Sequence, residues 1–465
     1  MNAPAENTIL ADNPSFLDEE RGINPPLGLL YLASYLRKNS NHEVEVLDMP
    51  AEGLSYDSLG KLVKQKSPQV IGITAMTFTM LDVIKAIKII KTSLPEVRIV
   101  LGGPHPTLYP RETVSLEGVD FVVAGEGEEV FLELLNNIDH KETLLYLNGI
   151  FFKQGDKICG NGQSDFIEDL DRLPFPDRAL TPYQKYNSVL ARRAPITTMF
   201  TSRGCPFGCN FCDRPQLGKR FRARSAGNVV DEMQLCYEMG IKEVLIYDDT
   251  FTIDRKRVLD ICQEILERGL GISWDIRARV DTVDEEMIKK LKDAGCVRIH
   301  YGVEAGTQKI LDVLNKGFAL SEVENAFRLT KKYGIQTLAY FMIGSPTETR
   351  KDILATIAFA KKIKPDYLHL TITTPFPGTK LYKMALELGL YEKDYWRDFA
   401  RDPSSGVISR YWEKELTRQD LLQLLRFAYK DFYRRPGYIL SSALKLGSIR
   451  EAVKKIKTGI KILAN

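Results

Sequence analysis

Three cysteines within eight residues are the part of this sequence best suited to chemistry. Cys205, Cys209 and Cys212 lie in Thr201-Ser-Arg-Gly-Cys-Pro-Phe-Gly-Cys-Asn-Phe-Cys-Asp-Arg214, a C-x3-C-x2-C spacing. Thiolates are the ligands that iron–sulfur clusters require, and Gly204 and Gly208 let the loop turn sharply around one. Three ligands leave one iron of a four-iron cube with an open position where a substrate can chelate. Zinc is the rival reading. A structural zinc site takes four protein ligands in paired spacings, whereas no fourth Cys or His lies nearby, and His105, His300 and His369 are isolated.

Such a loop has to be held by the elements around it. Strands are expected at Thr197–Thr201, Glu243–Tyr247, Ser273–Arg277, Arg298–Gly302, Gln336–Met342 and Asp366–Leu370. Helical patterns fall between them at Asn228–Tyr237, Arg255–Glu267, Glu285–Asp293, Ser321–Lys332 and Lys351–Lys362. Six βα units in a row make a parallel sheet curved into a partial barrel, and the segment is too short for eight units. The cysteines follow its first strand directly.

An earlier series alternates strands (Thr8–Leu10, Val44–Asp48, Val70–Thr74, Arg98–Leu101, Phe121–Val123) with helices (Leu29–Arg37, Asp57–Lys66, Leu81–Lys91, Glu128–Leu135). Its continuous apolar strands suit a parallel sheet covered on both faces, a doubly wound Rossmann- or flavodoxin-like α/β domain that binds ligands at the strand C-termini. A small hairpin (Leu145–Phe152 with Lys153–Cys159) and a Pro-punctuated connector, Leu173-Pro-Phe-Pro-Asp-Arg178, come next, and the chain ends in helical patterns. The expected division is 1–137 for the doubly wound domain, 138–194 for a linker with the hairpin, 195–385 for the barrel and 386–465 for a helical C-terminal region.

Composition narrows the class. With 465 residues, 44% hydrophobic and 27% charged, the chain is an ordinary globular protein of two or three domains. A net charge of +3 gives no argument for nucleic acid. Neither a membrane span nor a secretory leader is visible, so the expected location is cytoplasmic. Seven cysteines in a chain this long do not form a secreted disulfide framework.

C-x3-C-x2-C with Phe211 before the last cysteine, at the end of the first strand of a six-unit βα series, resembles the signature of the radical S-adenosylmethionine (SAM) superfamily. That resemblance implies a [4Fe–4S] cluster on Cys205, Cys209 and Cys212, with SAM on the open iron and cleaved reductively to a 5′-deoxyadenosyl radical. It also implies SAM contacts at Phe211, at Asp248 and Asp249 in Tyr247-Asp-Asp-Thr-Phe251, and at Glu304 in Gly302-Val-Glu-Ala-Gly306. Gly344 and Glu348 stand in Phe341-Met-Ile-Gly-Ser-Pro-Thr-Glu348, a partial match to the fifth-strand motif, and Arg279 is a further candidate for the SAM carboxylate. Each has a plain alternative: Asp248 and Asp249 as helix caps, the glycines as loop formers, Glu348 at a solvated helix start.

Asn24-Pro-Pro-Leu-Gly-Leu-Leu-Tyr-Leu-Ala33 and Leu101-Gly-Gly-Pro-His-Pro-Thr107 resemble the cobalamin-binding domain found ahead of many radical SAM cores. The implied cobalamin contacts are Thr74, Thr77, Gly102, Gly103, Pro104, His105, Gly125 and Glu126; ordinary strand-to-helix turns favour the same residue types. The D-x-H-x-x-G motif that places a histidine beneath cobalt is missing, so the resemblance implies a cobalamin without His ligation. A Rossmann nucleotide site is the alternative, but G-x-G-x-x-G does not follow the first strand.

The group so resembled mostly methylates unactivated carbons, and some members cyclise or rearrange rings. The expected function is therefore a cobalamin-dependent radical SAM C-methyltransferase. The alternatives are a radical SAM cyclase or a non-radical iron–sulfur redox protein. Expected partners are a small-molecule or lipid-like substrate and an electron donor such as flavodoxin or ferredoxin, with no nucleic acid. From Arg434 to Asn465 the chain carries eight Lys or Arg and one acidic residue, with apolar residues near helical spacing. Such a helix suits peripheral contact with the inner face of a membrane, and equally a solvated basic face on a packed helix.

Overall fold

The computed structural model describes residues 1–9, 22–404 and 406–439. Its first sheet comprises β1 (Val70–Thr74), β2 (Arg98–Gly102), β3 (Phe121–Val123), β4 (Ile150–Gln154) and β5 (Lys157–Gly160), in that spatial order. The first three are parallel, and the expected hairpin, β4–β5, adds to β3 antiparallel. Alternate residues of these strands feed two cores. Ile99, Leu101 and Val122 pack with α2 (Tyr56–Lys66) and α3 (Met80–Ser93) on one face, while Val100, Phe121 and Val123 pack toward α4 (Glu128–Asn136) on the other. That two-sided burial is why the strands read as unbroken apolar runs. Helix α1 (Leu27–Asn39) lies beside α4.

Two expected strands differ. Val44–Asp48 contributes a single bridge, Asp48 with Asn2, because residues 1–3 occupy the edge beside β1: the Met1 amino group donates to Gly72 O (2.5 Å) and Thr74 N to Met1 O (3.3 Å). Thr8 and Ile9 form no strand, and Leu10 lies outside the described residues.

The second sheet is the expected six-unit series. Strands β6 (Ile196–Met199), β7 (Glu243–Ile246), β8 (Ser273–Ala278), β9 (Cys296–Glu304), β10 (Gln336–Ile343) and β11 (Tyr367–Ile372) follow one another in space as in sequence, all parallel. Strands β6 and β11 are edges, so the barrel is partial. Between the strands lie α5 (Ala226–Glu238), α6 (Arg255–Glu267), α7 (Glu285–Asp293), α8 (Leu320–Lys332) and α9 (Arg350–Ile363). The local sequence explains each helix. In α6 the Asp254 side chain caps Arg257 N (3.0 Å), and Val258, Ile261, Cys262 and Ile265 form one buried stripe. Cys236, Cys262 and Cys296 are packed into this core.

The C-terminal region is helical: α10 (Lys380–Glu387), α11 (Tyr395–Arg401) and α12 (Arg418–Tyr433). Helix α12 covers the open edge of β11. Tyr429 OH bonds both Leu370 N and O (3.0 Å each), and Tyr433 OH bonds Leu368 N and O (3.1 Å each), which supplies edge groups that would otherwise lack a strand partner. Beyond residue 439 the expected basic amphipathic helix lies outside the described residues.

Candidate active site

Strand β6 ends at Met199, and the cysteine loop departs from its C-terminal end through Ser202–Arg203, which pairs with Arg222–Ala223 on the loop's return. The start of the loop is pinned from β7. Asp248 is fully buried and accepts hydrogen bonds from Thr201 N (2.6 Å), Thr201 Oγ1 and Ser202 Oγ (2.6 Å). Arg257 of α6 donates to Thr201 O (2.7 Å) from behind. Both Asp248 oxygens are thus engaged in holding the loop, whereas the next residue, Asp249, faces Arg214 at 3.6 Å.

The three cysteines are free thiols, graded from buried Cys205 to exposed Cys212. Two guanidiniums meet them: Arg214 NH1 donates to Cys212 Sγ at 3.0 Å, and Arg279 NH1 to Cys209 Sγ at 3.8 Å. Thr250 Oγ1 lies 3.7 Å from Cys205 Sγ. Cationic donors around unpaired thiols fit an anionic thiolate-bound cluster. Arg279 is fixed by a bidentate pair with Asp281 (2.9 and 2.8 Å) and stacks 3.8 Å over Phe207. Glu304 stands in a left-handed backbone conformation (φ 72°) and pairs with Lys316 at 3.1 Å; the Lys316 ammonium also sits 5.6 Å over Phe211. Gly344 takes a left-handed backbone (φ 78°), and a Cβ there would press the tip of the Leu421 side chain of α12 at 2.7 Å. Glu348 is fully buried, accepts from Ser345 N (2.9 Å), and is pushed up to about 7 by burial.

Inside the barrel the inner face forms a cup. Period-2 alternation sends Ile276, Tyr301, Phe341 and Leu370 to the helices and Arg277, His300, Tyr340 and His369 inward. Its floor is an ionic cluster in which Arg298 bonds Asp275 (2.6 Å), His300 Nε2 (3.1 Å) and Leu190 O (2.7 Å). Arg277, Tyr340, Met342, His369 and Thr371 above it are half-buried.

The strand ends of the first sheet close over this mouth. Gly103 follows β2 with φ 106°, and a Cβ there would lie 2.9 Å from Ala75 O and 3.2 Å from Thr74 Oγ1. Gly102 O accepts from Ala75 N (2.8 Å), and Gly125 N donates to Thr107 Oγ1 (3.0 Å). Pro104 opens a short helix, Pro104–Leu108, that carries His105. His105 is fully buried between Tyr109 and Phe399 of α11. Its Nδ1 lies 3.1 Å from Thr77 Oγ1, and burial pushes its pKa down to about 4. Among the described residues its Nε2 has no partner, so a buried polar atom beside a bare Gly-Gly edge remains for a ligand. The far end of that short helix and the cysteine loop meet at Gly378, where a Cβ would lie 2.2 Å from Asp213 and 2.9 Å from Leu108. Phe211 packs against both cores. Glu126 turns elsewhere, with both oxygens on Arg222 (2.8 Å each) and Oε1 3.3 Å from Arg203.

Sequence reasoning missed Arg203, Arg214, Lys316 and the cup residues. Arg214 was legible as a cation two places after the last cysteine, and Arg277 as the inward neighbour of Arg279 at strand period. Arg203 and Lys316 owe their roles to tertiary contacts alone.

Two consecutive α/β units, with a thiol loop at the mouth of an open (βα)6 barrel beneath the strand ends of a doubly wound sheet, define the class of enzyme. The Radical SAM superfamily model matches residues 199–360 and the B12 binding domain model matches residues 17–135. The chain is 38% identical to an uncharacterized methyltransferase of Pyrococcus horikoshii, over 90% of this chain and 89% of that one. It is 31% identical to the anaerobic magnesium-protoporphyrin IX monomethyl ester cyclase of Rubrivivax gelatinosus, over 89% of this chain and 75% of that one. The structure of the cobalamin-dependent SAM radical enzyme OxsB with aqua-cobalamin bound superposes with a TM-score of 0.76 at 18% identity, covering 96% of this chain and 70% of that one. The chain belongs to the radical SAM superfamily, among the members that carry a cobalamin-binding domain, and its cofactors are a [4Fe–4S] cluster, SAM and cobalamin. Among the described residues no helix is long and apolar enough to cross a membrane.

Proposed function

We propose that this enzyme methylates an unactivated carbon of a small or lipid-like molecule. The observation that carries the reading is Phe211 of the cysteine loop, which packs against the cores of both domains, with Leu108, five residues beyond Gly103, and Asp213 of the loop both beside Gly378. When bound, the cluster with SAM supplies a hydrogen-abstracting radical and the cobalamin supplies the methyl group. The chain's own residues supply placement. Cys205, Cys209 and Cys212 hold three irons, and Arg214 and Arg279 balance the charge of the thiolates. Asp249, Glu304 and Arg279 lie at the rim, where a charged amino-acid moiety would be gripped, with Phe211, Gly344 and Glu348 shaping the wall behind it. Asp248 acts through the loop and not on the ligand. Thr74, Thr77, Gly102, Gly103, Pro104, His105 and Gly125 form the edge against which a corrin would lie. The relative named as a methyltransferase supports methyl transfer, and the one named as a cyclase supports ring closure at the same site as the second reading.

A flavodoxin- or ferredoxin-type protein is the proposed electron donor, and contact with the inner membrane face through residues 434–465 would suit a lipid-like substrate. Anaerobic reconstitution with cluster and cobalamin, a reductant and methyl-labelled SAM tests the reading. We expect release of 5′-deoxyadenosine, cobalt near one per chain, and label passed to an acceptor. Cluster reduction without 5′-deoxyadenosine defeats the radical assignment, and 5′-deoxyadenosine with no label transfer to any acceptor favours the cyclase.

A further inference from the structure

The cup holds a cation that no carboxylate among the described residues contacts directly, although the Asp275 and Asp249 charges act on it from farther away. Arg277 projects inward from β8 two residues before Arg279, a rise of about 7 Å along the strand direction. Its guanidinium lies 3.8 Å over the Tyr247 ring, and NH1 donates to Ile246 O at 3.2 Å. Among the described residues no carboxylate pairs with it. The acids around it are committed elsewhere: Asp275 to Arg298 (2.6 Å), Glu304 to Lys316 (3.1 Å) and Asp249 to Arg214 (3.6 Å). Across the cup, Tyr340 OH lies 2.9 Å from His300 Nδ1, a second polar group that is half-buried and open to the same space.

A guanidinium out of bulk water normally finds an anion, because a ring face replaces only part of its hydration. Stacking, the Ile246 contact and hydrogen bonding with the Tyr247 and Tyr340 side chains fix the plane of the fork, and a planar or tetrahedral oxyanion would meet the guanidinium and these hydroxyls together. We propose that Arg277, with Tyr247 and Tyr340, recognises a carboxylate or phosphate group of the substrate, so that the substrate is an anion anchored in the cup with its reacting carbon at the rim. This deepens the methyltransferase reading and rests on it for the word substrate, but anion binding in the cup stands or falls separately.

The test uses the full chain, reconstituted anaerobically with cluster and cobalamin, and three probes of one shape: benzoate, phenyl phosphate and uncharged benzamide. Affinities are read by ligand-observed NMR at constant ionic strength, and SAM retention by equilibrium dialysis. We expect the wild type to bind at least one of the two anions at least tenfold more tightly than benzamide, the better anion naming the group. R277Q should weaken that anion by about 10- to 100-fold, the usual worth of a hydrogen bond to a charged group. R277K should retain part of the affinity, and SAM retention should stay within twofold in both variants. Three results overturn the proposal: neither anion preferred over benzamide, anions bound equally by R277Q, or SAM retention falling in parallel with anion affinity, which would give Arg277 to SAM. A protein that binds anions as expected yet yields no 5′-deoxyadenosine keeps this site and loses the proposed function.

Discussion

Glu126, in the loop after β3, and Arg222, on the return of the cysteine loop, join the two domains through a pair of parallel hydrogen bonds, 2.8 Å each, both side chains almost wholly buried. Arg203, two residues before Cys205, bridges Glu126 and Glu128 beside them. Burial pushes the Glu128 carboxyl up, but Arg203 outweighs it and holds the group below the usual range. The interface therefore carries its own ionic lock next to the cysteine loop. Removing one charge strands the others in a dry site. We expect E126Q to lose about 3–5 kcal/mol in urea unfolding. The double variant E126Q/R222Q should lose less than the sum of the two single variants, because neither charge is then left alone.

Single Cys→Ala variants at 205, 209 and 212 should each fail to retain the cluster. Iron and sulfide analysis after anaerobic reconstitution should read about four per chain in the wild type and near zero in each variant. C262A, deep in the helix–sheet core, should keep its iron and lose only stability, by about 1–2 kcal/mol. Equal iron in C209A and wild type would remove the cluster assignment.

Gly103 and Gly344 both take positive φ, and a Cβ would meet backbone at the first, Ala75 O, and the tip of the Leu421 side chain at the second. Each Gly→Ala change should cost about 1–3 kcal/mol in backbone strain. The two should then diverge. G103A should lower bound cobalt with iron unchanged, and G344A should weaken SAM retention with cobalt unchanged.

Glu348 predicts the direction of a pH effect. Its ordinary value of 4.5 is pushed up to about 7 by burial, against smaller opposing help from the Ser345 and Gly344 amides. The folded protein therefore holds this proton more tightly than the unfolded chain does. The resulting stability is fully present below about pH 4.5 and is lost as pH rises through about 7, amounting to roughly 3 kcal/mol. E348Q keeps the acceptor and removes the proton. Its melting temperature should fall less than that of the wild type between pH 5 and pH 8, and identical slopes would refute the assignment.

Much of this molecule is fixed by local pattern. The spacing of Cys205, Cys209 and Cys212 needs no fold to be recognised, since ligand number and turn residues are properties of a short segment. The βα alternation is equally local: Arg255–Glu267 and Glu285–Asp293 coincide with the helical patterns expected there, because the spacing of apolar residues acts within one or two turns. Only the tertiary structure decided which side chains meet. Asp248 and Asp249 are adjacent in sequence and of one type, yet successive residues point in different directions, so one pins the loop and the other faces Arg214. Glu126 sits at a strand end suited to a ligand and is instead drawn to Arg222, 96 residues away, because burial leaves its charge no better partner. The same holds for the β4–β5 hairpin on the first sheet and for Arg277, set between Tyr247 and Tyr340. Partnership over long sequence separation is set by packing, and packing is not written in any local pattern.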